Sequence, residues 1–176
     1  MFSIDELTPD QWRLFRQVRL AALAEAPDAF GSRLADWQGD GDVEARWRHR
    51  LESVELNLIG RQDGQPVGMA SGFLVRPDSV EYQAINDHVG GQPQDWVELI
   101  SMWVAPQARG TGLAAALIQR VVEWADEHGR RTALVVRTAN SQARMAYRSA
   151  GFLDLGALVS ADSNAPSETL MVTLPR

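Results

Sequence analysis

The sequence contains neither cysteine nor lysine. Without cysteine there is no disulfide, no thiolate metal ligand and no thiol to hold an acyl group in transit. Without lysine, a nucleoside-triphosphate loop of the form G-x-x-x-x-G-K-[ST] is excluded. All 17 basic residues are arginine, read as coding bias, and 23 acidic residues bring the formal charge to −6. A surface that tracks nucleic-acid phosphates needs a basic stripe, so no nucleic-acid partner is expected, while a cationic substrate is permitted. No apolar run could span a bilayer and the first thirty residues hold no long uncharged apolar stretch, so a cytoplasmic location without membrane contact is the expectation. The histidine and carboxylate spacings do not suggest a metal site. What remains, 176 residues at 45% hydrophobic, is enough for one globular domain over residues 1–176.

Residues 98–117, E-L-I-S-M-W-V-A-P-Q-A-R-G-T-G-L-A-A-A-L, organise the rest. An apolar run is cut by Pro106, passes through Gln107, Ala108, Arg109, Gly110, Thr111 and Gly112, and resumes at helical spacing from Leu113 and Ala114. This reads as strand, turn, helix. Such a turn leaves main-chain N–H groups unpaired at the positive end of a helix dipole, a site for a phosphate. Gly110 and Gly112 let an oxygen approach the main chain, and Arg109 can add a charge-assisted bond. Only two glycines are present, which disfavours a dinucleotide fingerprint.

In chain order, residues 2–7 read as a first strand, followed from Pro9 by a helix capped by Thr8 that buries Leu14, Phe15, Val18, Ala21 and Ala22. Residues 27–32 form a turn whose Phe30 either contacts substrate or packs under the loop. Val43, Trp47 and Leu51 mark a second helix with Arg46, Arg48 and Arg50 mostly outward. Residues 54–59 and 67–75 are strands joined through Asp63-Gly64, and Gly68 and Gly72 hint at a bulge or close approach. Residues 77–96 lack periodicity and read as a loop. Its Asp78, Glu81, Asp87 and Asp95 are either an acidic rim for an amine or simply solvated, and His88 lies among them. Leu113, Leu117, Val121 and Trp124 then line a helix ending at Gly129, and residues 133–136 form an interior strand. Strands at 152–159 and 169–174 close the chain around a polar turn at 160–167.

The second informative stretch is residues 140–152, N-S-Q-A-R-M-A-Y-R-S-A-G-F, a short helix with Asn140 as N-cap, Gly151 as its stop and Tyr147 two turns in. Gln107, Gly110 and Gly112 resemble the acyl-CoA signature Q/R-x-x-G-x-G/A of the GNAT superfamily of N-acetyltransferases, and Val104 to Pro106 is similar to the V-x-P that ends the family's fourth strand. Asn140, Ala143, Tyr147, Gly151 and Phe152 resemble its second motif, N-x-x-A-x-x-x-Y-x-x-x-G-F. The two lie in the family's order, 33 residues apart from Gln107 to Asn140. The resemblance implies an α/β fold: a mixed, mostly antiparallel sheet of about seven strands splayed between the fourth and fifth, with about four helices. It also implies acetyl-CoA as cosubstrate. Main-chain groups of Met102, Trp103 and Val104 would lie along the pantetheine, N–H groups from Gln107 to Ala114 would cradle the pyrophosphate, and Asn140 would hold the pantetheine from the other side.

An alkylamine is mostly protonated at neutral pH and cannot attack a thioester until a base removes a proton. Glu98 is the candidate base, placed by strand alternation on one face with Ile100, Met102 and Val104; the other reading pairs it with an arginine on a neighbouring strand. Tyr147 is the candidate acid for the departing thiolate; the other reading has its ring fill core. The acceptor is expected to be a primary amine on a small molecule or peptide, contacted by Phe30 and Glu98, and the protein a monomer or homodimer. A sensor of acyl-CoA without turnover, or a phosphate-binding α/β domain with another ligand, are the other classes the sequence allows.

Overall fold

Asp63 and Gly64 both take positive φ (50° and 81°), the geometry of a two-residue hairpin turn whose twist matches that of its strands. They join β2 (Leu56–Gln62) to β3 (Gln65–Leu74), paired antiparallel with Ile59 opposite Met69. The structure is a computed structural model that describes residues 1–77, 80–92, 95–158 and 164–174, the side chains of residues 80 and 81 excepted. It divides into two units, Met1–Gly72 with Ile100–Leu117, and Phe73–Leu99 with Ile118–Arg176. Strand order is β1 (Phe2–Glu6), β2, β3, β4 (Trp96–Val104), β5 (Arg131–Arg137), β7 (Glu168–Thr173), β6 (Phe152–Ala157); β1 with β2, β2 with β3, β5 with β7 and β7 with β6 are antiparallel, and β4 with β5 is parallel. Antiparallel β3 and β4 (Trp96–Val104) are bracketed by Ala105 N–H donating to the Val67 carbonyl in the first unit, and by Val75 N–H donating to that of Trp96 in the second. Among the described residues no helix is long and apolar enough to cross a membrane.

The first unit sets β1 (Phe2–Glu6), β2 and most of β3 beside helices α1 (Trp12–Glu25) and α2 (Glu44–Glu52). Phe15, Val18, Ala22 and Leu23 are buried on α1, whereas Ala21 is exposed and Arg19 takes a place on the buried stripe. The apolar period therefore holds, with one charged residue inside it. On α2, Trp47 and Leu51 are buried, and the Trp47 ring meets Phe15 edge-on at 6.2 Å. Asp42 ties the two helices: it accepts from Arg16 Nε (2.6 Å) and Trp47 Nε1 (2.9 Å), and these bonds hold its carboxyl down at about 2. Arg50 is half-buried, and its guanidinium turns inward because polar groups of β2, β3 and β4 receive it.

Gly68 is the close approach its position suggested. Leu113 and Leu117, from the first turns of α4 (Leu113–Glu127), would lie 3.2 and 3.1 Å from a Cβ there. Leu113 is clamped from the β2 side too, since a Cβ on Gly60 would meet its Cδ1 at 2.7 Å. Gly60→Ala is accordingly expected to lower stability by about 1–3 kcal/mol, the usual cost of overpacking a filled site. An unchanged urea midpoint would show that Leu113 can move.

The second unit contains the departure from the sequence reading. Residues 77–96 are not an aperiodic loop: α3 (Val80–Val89) forms there, bringing the α-helices to five among the described residues. Ile85 is buried on that helix, and with Tyr82 it packs on Val75, Trp96, Ala133, Leu170 and Val172. So few apolar positions give no readable period, and tertiary packing decides. The parallel ladder of β4 with β5 (Arg131–Arg137) covers Trp96–Arg131, Val97–Thr132 and Glu98–Ala133. Beyond it, β5 continues through Arg137 opposite Glu168 of β7 (Glu168–Thr173), and β7 pairs with β6 (Phe152–Ala157). On α4, Val121 and Ala125 are buried while Trp124 is half-buried, its ring 4.4 Å from that of His128.

Candidate active site

Strand β4 does not alternate simply to its end. Ser101 sits at φ 57°, in the left-handed region that non-glycine residues seldom occupy. This breaks the two-residue period, so the expectation that Glu98 and Ile100 share a face with Met102 and Val104 does not carry across Ser101. Beyond it, Met102 is half-buried and Trp103 and Val104 are buried. Pro106–Ala108 makes one 3-10 turn, and Gly110 and Gly112 then take φ of 78° and 88° before α4 begins at Leu113. The chain turns so sharply here because both glycines adopt a conformation that a Cβ would penalise. Thr111 Oγ1 donates to the Ala108 carbonyl (2.7 Å) and braces the turn.

Among the described residues, the N–H groups of Gly110, Thr111 and Gly112 have no protein acceptor, and the three residues are exposed. Ala116 N–H makes the first bond back into the turn, to the Gly112 carbonyl (3.1 Å). The open groups at the start of a fifteen-residue helix form a positive cradle that fits a pyrophosphate. Gln107 is exposed, Ala108 and Leu113 are buried and Ala114 is half-buried, so the main chain rather than side chains lines the cradle.

The guanidinium of Arg109 is engaged elsewhere. It donates to both carboxylate oxygens of Glu25 (2.9 and 3.1 Å) and through Nε to the Val104 carbonyl (3.1 Å). Glu25 also accepts from Trp103 Nε1 (2.9 Å). One carboxylate at the end of α1 thus grips both the last turn of β4 and the loop beyond it.

The second unit holds Glu98, Asn140 and Tyr147. Glu98 is half-buried, opposite Ala133 at the end of the parallel ladder. Asn140 caps α5 (Ser141–Ser149), its Oδ1 accepting from Ala143 N–H (3.1 Å). Arg144 and Arg148 both donate to Asp154 of β6 at 2.6 Å, which holds that helix to the sheet edge. Tyr147 is 8% exposed, with its ring 5.9 Å from Phe152. Burial pushes its phenol above the ordinary value of 10, so it stays a neutral O–H donor at physiological pH.

Sequence reasoning passed over two arginines. Arg19 and Arg50 both donate to Ser101 Oγ (3.4 and 3.2 Å), and Phe30, singled out as a substrate contact, lies under the Arg19 guanidinium at 4.6 Å. The available signal was a charge at position 19 inside the stripe of Phe15, Val18, Ala22 and Leu23. His88, by contrast, is exposed and its Nδ1 lies 2.8 Å from the Ala84 carbonyl of its own helix. In the acidic stretch, Asp95 accepts from Gln92 N–H (2.7 Å); Asp78, Pro93 and residues 160–163 of the expected substrate turn lie outside the described residues, as does the side chain of Glu81. No three His, Asp or Glu side chains converge on a metal site among the described residues.

Residues 13–152 match the family model described as the acetyltransferase (GNAT) family. The aminoglycoside N(6')-acetyltransferase type 1 of Stenotrophomonas maltophilia is 30% identical over 139 residues, 77% of this chain and 84% of the relative. An acetyltransferase of GNAT family from Streptococcus pneumoniae has a similar structure, with a TM-score of 0.70 at 18% identity over 98% of both chains. The structure of yncA from Salmonella typhimurium with its cofactor acetyl-CoA gives a TM-score of 0.67 at 16% identity, covering 98% of this chain and 92% of that one.

Proposed function

The chain belongs to the acetyltransferase (GNAT) family, and from that membership we propose that it moves an acetyl group from acetyl-CoA directly to a primary amine, as a single catalytic domain. The observation that carries this reading is the cradle of open N–H groups at Gly110, Thr111 and Gly112, two of them on glycines with positive φ. It suits the diphosphate of coenzyme A, with the main chain of Met102, Trp103 and Val104 beside the pantetheine and Asn140 as a further contact.

Acetyl-CoA supplies the reactive thioester carbonyl. Glu98 removes a proton from the ammonium so that the nitrogen lone pair can form the new C–N bond. The Val104 N–H donates to the carbonyl oxygen as negative charge grows there. When the carbonyl re-forms and the C–S bond breaks, Tyr147 gives its phenolic proton to the sulfur, and the second proton leaving the nitrogen restores the phenol. The absence of cysteine supports direct transfer, since no thiol is available to carry the acetyl group.

Thiol release from acetyl-CoA across a panel of amino acids, polyamines, aminoglycosides and basic peptides tests this. Turnover on at least one class is the expected result, with Glu98→Gln lowering kcat/KM about tenfold and shifting the acidic limb of its pH profile. Tight acetyl-CoA binding with no amine acetylated would replace the transferase by an acyl-CoA sensor.

A further inference from the structure

Most arginines of the first unit meet a carboxylate. Arg16 meets Asp42, Arg48 meets Asp10 and Glu44, Arg61 meets Asp5, and Arg109 meets Glu25. Arg19 and Arg50 do not; nor do Arg13, which is exposed, and Arg46, which donates to the main-chain carbonyls of Asp36 and Gly41. Arg19 is 6% exposed, and its polar contact is Ser101 Oγ. Arg50 donates to Asn57 Oδ1 (3.1 Å), Ser101 Oγ (3.2 Å) and Ser71 Oγ (3.5 Å). Each of these acceptors is neutral, and among the described residues neither guanidinium has an ion pair. The guanidinium carbons lie over aromatic rings, Arg19 over Phe30 and Arg50 over Phe15 at 5.2 Å.

Two like charges brought together out of water, on neutral oxygens, is an unfavourable arrangement unless an anion joins them. Burial pulls both guanidiniums down to about 10, and the charge of Arg19 adds to the effect on Arg50. A guanidinium has five N–H donors in a planar fork suited to a carboxylate, and here most of those donors have no protein acceptor. Arg50, Phe30 and Ser101 are half-buried rather than sealed, so the cluster keeps part of its surface in solvent. Their shared acceptor, Ser101, is three residues before Val104 on one strand. At about 3.3 Å of rise per residue this is about 10 Å at most.

We propose that the acceptor amine carries a carboxylate and that Arg19 and Arg50 receive it beside Ser101, so that this protein acetylates a small amino acid or similar amino-carboxylate. The acetylation rests on the transferase reading; the carboxylate site does not. A polycationic acceptor, such as the aminoglycoside named for the Stenotrophomonas maltophilia relative, would bring positive charge against the Arg19 and Arg50 guanidiniums and is disfavoured.

Matched pairs test it: amino acids against their carboxamides and methyl esters, which keep the amine and remove the charge. The carboxylates are expected to be at least about 50-fold better in kcat/KM, because a site built for a charged group is left with unpaired donors by the neutral analogue. Arg50→Gln and Arg19→Met should each cut that preference at least about tenfold while leaving KM for acetyl-CoA unchanged. In parallel, the thermal midpoint without acetyl-CoA should rise with amino acids and not with their amides, and the rise should disappear in Arg50→Gln. Equal turnover of acids and amides, with no acid-specific rise, would overturn the carboxylate site and leave the transferase standing. An acid-specific rise without turnover on any amine would do the reverse. Failure of both measurements would remove both readings.

Discussion

Tyr147→Phe is expected to lower kcat between about 10²- and 10³-fold while KM for acetyl-CoA stays within about twofold of the parent. The substitution removes one hydroxyl and keeps the ring that packs against Phe152 at 5.9 Å, so helix α5 and its ties to Asp154 should persist. General-acid assistance contributes about 10²–10⁴-fold when a positioned group supplies the proton, which sets the scale. The pH profile gives a second readout. Burial raises the phenol above its ordinary 10, so in the parent no falling limb from Tyr147 should occur below pH 10. The proton stays on at lower pH and is lost only as pH rises past that raised value. A Tyr147→Phe variant with kcat within twofold of the parent would make the ring a packing residue and leave the thiolate to be protonated by water.

Gly112→Val should raise KM for acetyl-CoA about 100-fold or more, by a route that has nothing to do with crowding. A Cβ at Gly112 would find only the Phe2 ring, at 3.8 Å, and one at Gly110 would meet nothing within 4 Å. The obstacle is conformational: φ is 88° at Gly112, where a side chain costs roughly 1–2 kcal/mol and a β-branched one more. The loop would relax, and the open N–H groups of residues 110–112 would change their relative positions. Gly129→Val is the control. Gly129 also has positive φ (67°) and open space around it, but it stands at the far end of α4. It should lose comparable stability with acetyl-CoA binding intact. If both variants weaken the cosubstrate alike, the effect is global and the cradle has no special part.

The turn at residues 107–112 was legible because glycine spacing, a proline and the onset of helical period are all local signals. The same holds for the Asp63-Gly64 hairpin and for Asn140, whose side chain caps α5 as its position suggests. Helix α3 was not legible. Its hold on the protein is through Tyr82 and Ile85 against a cluster drawn from distant strands, which no window of sequence contains. Arg19 and Arg50 were missed for a different reason. Charge is ordinarily a sign of exposure, and an outward reading of arginine on an amphipathic helix is right unless polar groups arrive from elsewhere. Here Asn57, Ser71 and Ser101 arrive from three strands. Ser101 itself hides a left-handed residue within an apolar run, and nothing in serine's chemistry announces it.

The grip of Glu25 on Trp103 and Arg109 has an optical consequence. The indole N–H of Trp103 bonds the same carboxylate, at 2.9 Å, that holds the guanidinium beside the turn at residues 110–112. Anything that draws Arg109 off Glu25 changes the charge felt by the indole. The emission maximum of this buried tryptophan should therefore move when a diphosphate binds at that turn, whereas Trp37 and Trp47, tilted against each other with ring centroids 4.5 Å apart on the α2 side, should hold a constant background. Trp103→Phe would subtract the changing part of the spectrum, making the protein its own reporter of cosubstrate occupancy without a dye.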